Sequence, residues 1–197
     1  MIRRAPLACL LVALAAPAAG QQQSDSYKFL QAVRDAKGDE VTQMIERPGS
    51  RIIDTRDPGS GEGALEIVGK RGDVTYLRYL LGRGADPNLR DDKGVTPLML
   101  AVTLGQEGMI RYLLDAGANP NLANASGETP LIRAVQRRDL QMTRELVAGG
   151  ANPDQADRMA GLSARDYARR DTRTPALLKL LDEKPVQTKA AVAGPKL

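Results

Sequence analysis

The chain of 197 residues carries 28 basic and 24 acidic side chains, is 42% hydrophobic but only 3% aromatic, and contains one cysteine and no histidine. A formal charge of +4 is far from the excess of a nucleic-acid binder, and the core must be aliphatic rather than built on large rings. Without histidine, and with Cys9 as the only thiol, the usual general base and activated nucleophile are missing, so no catalytic, cofactor-binding or metal-ligating residue is assigned.

In chain order, MIRRAPLACLLVALAAPAAG sets two arginines before an apolar run from Ala5 to Ala16, then small residues in which Ala18 and Gly20 suit a cleavage site. This pattern predicts a cleavable signal peptide over 1–20 and hence a periplasmic or secreted protein. The apolar run is shorter than the ~20 residues of a membrane-spanning helix. Cys9 leaves with that segment, so the mature chain is expected to have neither disulfide nor zinc thiolate. Residues 21–25 read as a flexible leader.

The region 26–183 is organised by repetition. GADPNLRDDKGVTPLML, Gly84 to Leu100, returns 33 residues later as GANPNLANASGETPLIR, Gly117 to Arg133. Gly61, Gly94 and Gly127 form one column at this spacing; Gly84, Gly117 and Gly150 form another, followed by Pro87, Pro120 and Pro153. A period of this size marks a solenoid whose units bury their apolar faces only against one another.

Within a unit, Thr96 and Pro97 predict an N-cap followed by proline at the first helical position, and Thr129 and Pro130 repeat the device. Leu98, Ala101 and Val102 then give an apolar helical face up to Gly105, which breaks the run. A second helix carries Ile110, Leu113 and Leu114 and ends at Gly117; the Asn-, Pro- and Gly-rich stretch after it predicts a turn-dominated connector. Tyr79 and Tyr112, also 33 apart, are expected to pack between neighbouring units.

Helix, tight turn, helix and protruding loop of this length resemble the ankyrin repeat, and DKGVTPLMLAV and YLLDAGANPN carry the likeness. Three units match well, Pro58–Arg90, Asp91–Ala123 and Asn124–Ala156, and the flanks Ser24–Asp57 and Asp157–Glu183 read as divergent capping units. The resemblance implies an all-α fold, an α-solenoid of about five ankyrin-type helix-turn-helix repeats joined by hairpin-like loops. The chain is similar to exported bacterial ankyrin proteins. It departs from the pattern where Met99 and Ile132 replace the family's loop-bonding histidine, and where Gly63 and Ala64 replace Thr-Pro.

The resemblance also implies a non-enzymatic interaction module, binding or regulating another envelope protein through its concave face and loop tips. By position, the partner-binding residues are Lys70 and Arg71 in one unit; Asp92, Lys93, Val95, Thr103 and Leu104 in the next; and Ala125, Ser126, Glu128, Gln136 and Arg137 in the third. Leu104 is apolar in a slot where Arg71 and Arg137 are charged, which suits an interface centre. The expected partner is a periplasmic protein, with no nucleic acid and a monomeric chain.

The alternative is a membrane surface or an acidic partner at the basic C-terminal end. Residues 158–197 hold 9 basic and 4 acidic side chains, with Arg165, Arg169, Arg170 and Arg173 clustered. Other motifs read as structural. DTRDPGSGEG, 54–63, is a connector without a phosphate-loop ending, Asp91 and Asp92 are solvated loop charges, and Gly72 of Arg71-Gly72-Asp73 stands in the Gly105 column. The last segment, 184–197, holds two prolines and no apolar periodicity and predicts a disordered tail.

Overall fold

The structure, a computed structural model, describes residues 18–183. The tail expected at 184–197 lies outside them, as does all but the end of the expected signal peptide.

Among the described residues ten α-helices form five antiparallel pairs: α1 (Ala18–Arg34) with α2 (Gly38–Ile45), α3 (Ala64–Arg71) with α4 (Val74–Gly82), α5 (Pro97–Leu104) with α6 (Glu107–Asp115), α7 (Pro130–Gln136) with α8 (Leu140–Ala148), and α9 (Ala164–Arg170) with α10 (Pro175–Asp182). First helices pack on first helices, α1 on α3 and so on to α9, while α4, α6, α8 and α10 stack beside them. This is the expected all-α solenoid. Residues 21–25, expected as a flexible leader, instead lie within α1. Neither proline nor glycine interrupts the run from Gln21 to Arg34, so nothing local stops the helix.

The core is the aliphatic seam between the pairs. Leu98, Ala101 and Val102 of α5, with Leu131 and Ala134 of α7, are wholly buried, as are Leu77, Leu80, Ile110 and Leu146 of the second helices. Packing against the next copy, rather than helix propensity, must hold helices of seven to nine residues together, because helices that short do not persist alone in water. The tyrosines do touch the preceding unit. Tyr79 Oη is 2.6 Å from Thr42 Oγ1, and Arg78 lies over the Tyr112 ring at 5.0 Å.

Helix starts follow the caps seen in the sequence. Thr96 Oγ1 accepts from Met99 N–H and Thr129 Oγ1 from Ile132 N–H, both at 3.2 Å. The second helices of two units are capped by Asp73, accepting from Tyr76 N–H, and Asp139, accepting from Met142 N–H, each at 2.9 Å. Without Thr-Pro, α3 still begins at Ala64, because Glu66 Oε2 reaches back and accepts from Gly63 N–H at 3.0 Å. The turn between helices places Gly105 at φ 77°; Arg138, in the same column, holds φ 58° with a side chain attached.

Candidate binding surface

Each loop folds back as a narrow hairpin. Asp91 N–H donates to Val95 O at 3.0 Å and Asn124 N–H to Glu128 O at 2.9 Å; the first and last tips, Asp57 to Glu62 and Asp157 to Leu162, close over one residue more. The side chain of the residue that opens the turn fills it. Asp91 Oδ1 accepts from Lys93 N–H at 2.9 Å and Val95 N–H at 2.7 Å, and Asn124 Oδ1 accepts from Ser126 N–H and Glu128 N–H, both at 3.0 Å. These Asx bonds fix the loops in which the sequence has no histidine.

Neighbouring tips are tied backbone to backbone. Asp92 N–H donates to Ser60 O at 3.3 Å, Ala125 N–H to Lys93 O at 2.9 Å, and Arg158 N–H to Ser126 O at 2.9 Å. Gly127 shows why its column must be glycine: φ is 79°, and a Cβ there would stand 2.7 Å from Arg158 N. Nearer the second helices, an asparagine ladder links the connectors. Asn88 Oδ1 accepts from Asn119 N–H at 2.7 Å while its amide donates to Gly117 O at 3.1 Å, and Asn121 does the same with Asn152 and Gly150 at the same distances.

Nine of the twelve residues assigned to a partner are exposed: Lys70, Arg71, Asp92, Lys93, Thr103, Leu104, Ala125, Gln136 and Arg137. Val95, Ser126 and Glu128 are half-buried in the tips, where Glu128 binds Arg133 at 2.7 Å and Ser126 Oγ donates to Asn124 Oδ1 at 2.8 Å. The tips bring Asp92, Lys93, Ala125 and Ser126 together through the backbone ladder, and the stacked helices bring Lys70, Arg71, Thr103, Leu104, Gln136 and Arg137 into two columns.

Several exposed charges already have structural work. Arg71 Nη1 donates to Val33 O at 2.9 Å and Arg34 O at 3.3 Å, capping α1, while Nη2 lies 3.2 Å from Asp73. Arg137 Nη1 donates to Thr103 O at 3.0 Å, closing the end of α5 in the same manner. Lys70 pairs with Glu62, and Asp92 with Arg56 at 3.0 Å. Leu104 stands between the two arginines in its column and is 45% exposed. In the sequence Arg71 and Arg137 read as surface charges, because no local signal shows that they reach the preceding unit.

At the C-terminal end the cluster divides. Arg165 bridges Asp154 and Asp182, fastening α10 to the preceding connector, and Arg169 pairs with Asp166 at 3.0 Å. Arg170 and Arg173 have no carboxylate within ion-pair distance among the described residues. Tyr167 Oη donates to Asp157 Oδ2 at 2.6 Å; this bond first, and that from Ala160 N–H next, hold the Asp157 carboxyl below its ordinary range.

One buried charge had no distinct sequence signal. Glu66 occupies the slot of Met99 and Ile132 and is 2% exposed. Burial above all, then the nearby Asp91 and Glu62 charges, pushes its carboxyl up to about 7 against the pull of the Gly63 N–H, and Oε1 has no partner. It lies beneath a helix start rather than in a cleft, so its bond to Gly63 accounts for it structurally.

The helix pairs, the hairpin tips and the recurring glycine column agree with a comparison against family models, in which residues 64–157 match ankyrin repeats in three copies. Ankyrin repeats generally mediate protein–protein interaction and are typically non-enzymatic scaffolds. Over residues 64–157 the chain is an ankyrin repeat protein.

Proposed function

We propose that the protein is an exported binding module that engages another envelope protein through the loop tips and the concave face of its first helices. Export rests on the arginine pair, apolar run and small-residue site of residues 1–20. The observation that carries the contact surface is Leu104. It is exposed in a column whose other arginines, Arg71 and Arg137, are drawn onto backbone carbonyls of the preceding unit. An accessible aliphatic side chain with polar neighbours is the arrangement of an interface centre ringed by a polar rim.

The test is a pull-down from envelope extract with the tagged full chain, against a Leu104→Arg, Lys93→Glu variant. These positions are chosen because neither side chain holds the fold, whereas Arg137 caps a helix. A protein retained by the natural chain and lost from the variant, at unchanged melting temperature, supports this reading. Equal retention overturns the placement of the surface, and an intact 1–20 segment on protein recovered from the envelope fraction overturns export by cleavage.

A further inference from the structure

Between the end of α7 and the end of α9 lies an open groove of about 440 Å³ whose lining includes Arg138, Arg170 and Arg173 but Asp171 as its one carboxylate. That carboxylate is already engaged. Burial opposes its charge, but the Arg173 N–H and the Arg138 guanidinium at 2.9 Å outweigh burial and keep the Asp171 carboxyl below its ordinary range. Three guanidinium groups against one carboxylate give the groove lining a formal net charge of about +2.

The arginines of this groove differ from the basic side chains at the end of α3. At the N-terminal end Lys70 is paired with Glu62 and Arg71 with Asp73 and two carbonyls. The third unit offers only Thr103 and Leu104 in the same columns. Arg170 and Arg173, by contrast, form no ion pair among the described residues and line one groove together.

Resting on the protein-binding reading above, we propose that the partner presents a carboxylate-rich extended segment, which enters this groove and is held by Arg170 and Arg173. Arginine forks match carboxylates with paired, charge-assisted hydrogen bonds. The groove also has an aromatic wall in Tyr167, against which the methylene stems of glutamate side chains pack. A flat lipid surface meets charges that project from a protein; charges that line a concavity face a chain that enters it.

The test titrates the full chain into a short fluorescein-labelled peptide rich in Glu and Leu, its Glu-to-Gln counterpart, and phosphatidylglycerol vesicles. The expected result is binding of the Glu peptide that weakens as salt rises, at least about tenfold weaker binding of the Gln peptide, and a loss of at least about tenfold on Arg170→Glu with Arg173→Glu. Arg170→Gln with Arg173→Gln should give a smaller loss in the same direction, and Arg144→Glu on α8 none, with all three variants melting as the natural chain does. Equal affinity for the two peptides, no peptide binding, or full retention by the Arg170, Arg173 variants overturns the proposal. So does vesicle binding lost in those variants without peptide binding, which would assign the arginines to a membrane. An envelope partner lost with Leu104→Arg but kept by Arg170→Glu, Arg173→Glu leaves the concave-face reading standing and removes only the groove.

Discussion

In the third unit the first helix begins on Thr96, whose hydroxyl accepts from Met99 N–H at 3.2 Å, with Pro97 next in line; in the second, Gly63 and Ala64 stand there and the Glu66 carboxylate accepts from Gly63 N–H at 3.0 Å. Both helices start at the same point of their units and bury the same leucine, Leu98 or Leu65. The difference is that a neutral hydroxyl caps one start, while the other depends on an ionisable group sealed from water. One unit therefore keeps its stability across pH and the other gives it up as the carboxyl ionises.

The largest effect tests what the two units share. Leu98→Ala and Leu65→Ala should each lower unfolding stability by about 2–5 kcal/mol, read from urea midpoints, since both side chains leave a cavity in the same seam. If only one of them did so, the two units would not be equivalent layers of one core.

Next comes the pH dependence. The Glu66 carboxyl moves from 4.5 to about 7 on folding, so the folded state binds more protons between those values. Stability from this group is fully present below about 4.5 and falls as pH rises through about 7. Glu66→Gln keeps an acceptor for Gly63 and removes the charge; at pH 8 it should stabilise by about 3 kcal/mol at most, with the gain vanishing near pH 4.5. Equal gains at both pH values would mean that packing, not ionisation, separates the units.

Smaller effects come from backbone and cap. Gly105→Ala forces a side chain into φ 77° and should cost about 1–2 kcal/mol, whereas Arg138→Gly, relieving φ 58°, should gain up to about 1 kcal/mol less whatever the Asp171 pair contributes. Thr96→Ala should cost about 1 kcal/mol by leaving the Met99 N–H without its hydroxyl acceptor.

Much of this was legible because the repeating residues act locally. Thr96-Pro97, Thr129-Pro130 and the glycine columns each dictate a cap or a turn by their own backbone preferences, and the leucine spacing dictates the buried face. What escaped depends on the neighbouring copy. Whether Arg71 ends in solvent or on Val33 O is decided by where α1 lies, and no pattern within the unit encodes that. The same holds for Glu66, whose burial follows from the second unit's place inside the stack. The start of α1 was missed for a different reason: the glutamines of 21–23 are polar without periodicity, which matches a leader as well as a solvated helix turn.

The ladder of hairpin tips has a consequence for how such a chain changes length. Each tip must present a carbonyl to the N–H of the next, and each glycine of the Gly127 column must clear the backbone that follows. A residue inserted between the bonded groups of a tip would move the carbonyl or the N–H that its neighbours use. Of the four tips among the described residues, 57–62 and 157–162 carry an extra residue, and each is still bonded to its neighbour. Addition or loss of whole 33-residue blocks leaves every such bond in place, so variation between relatives of this chain should appear mainly as substituted side chains at the tips and as added or deleted copies.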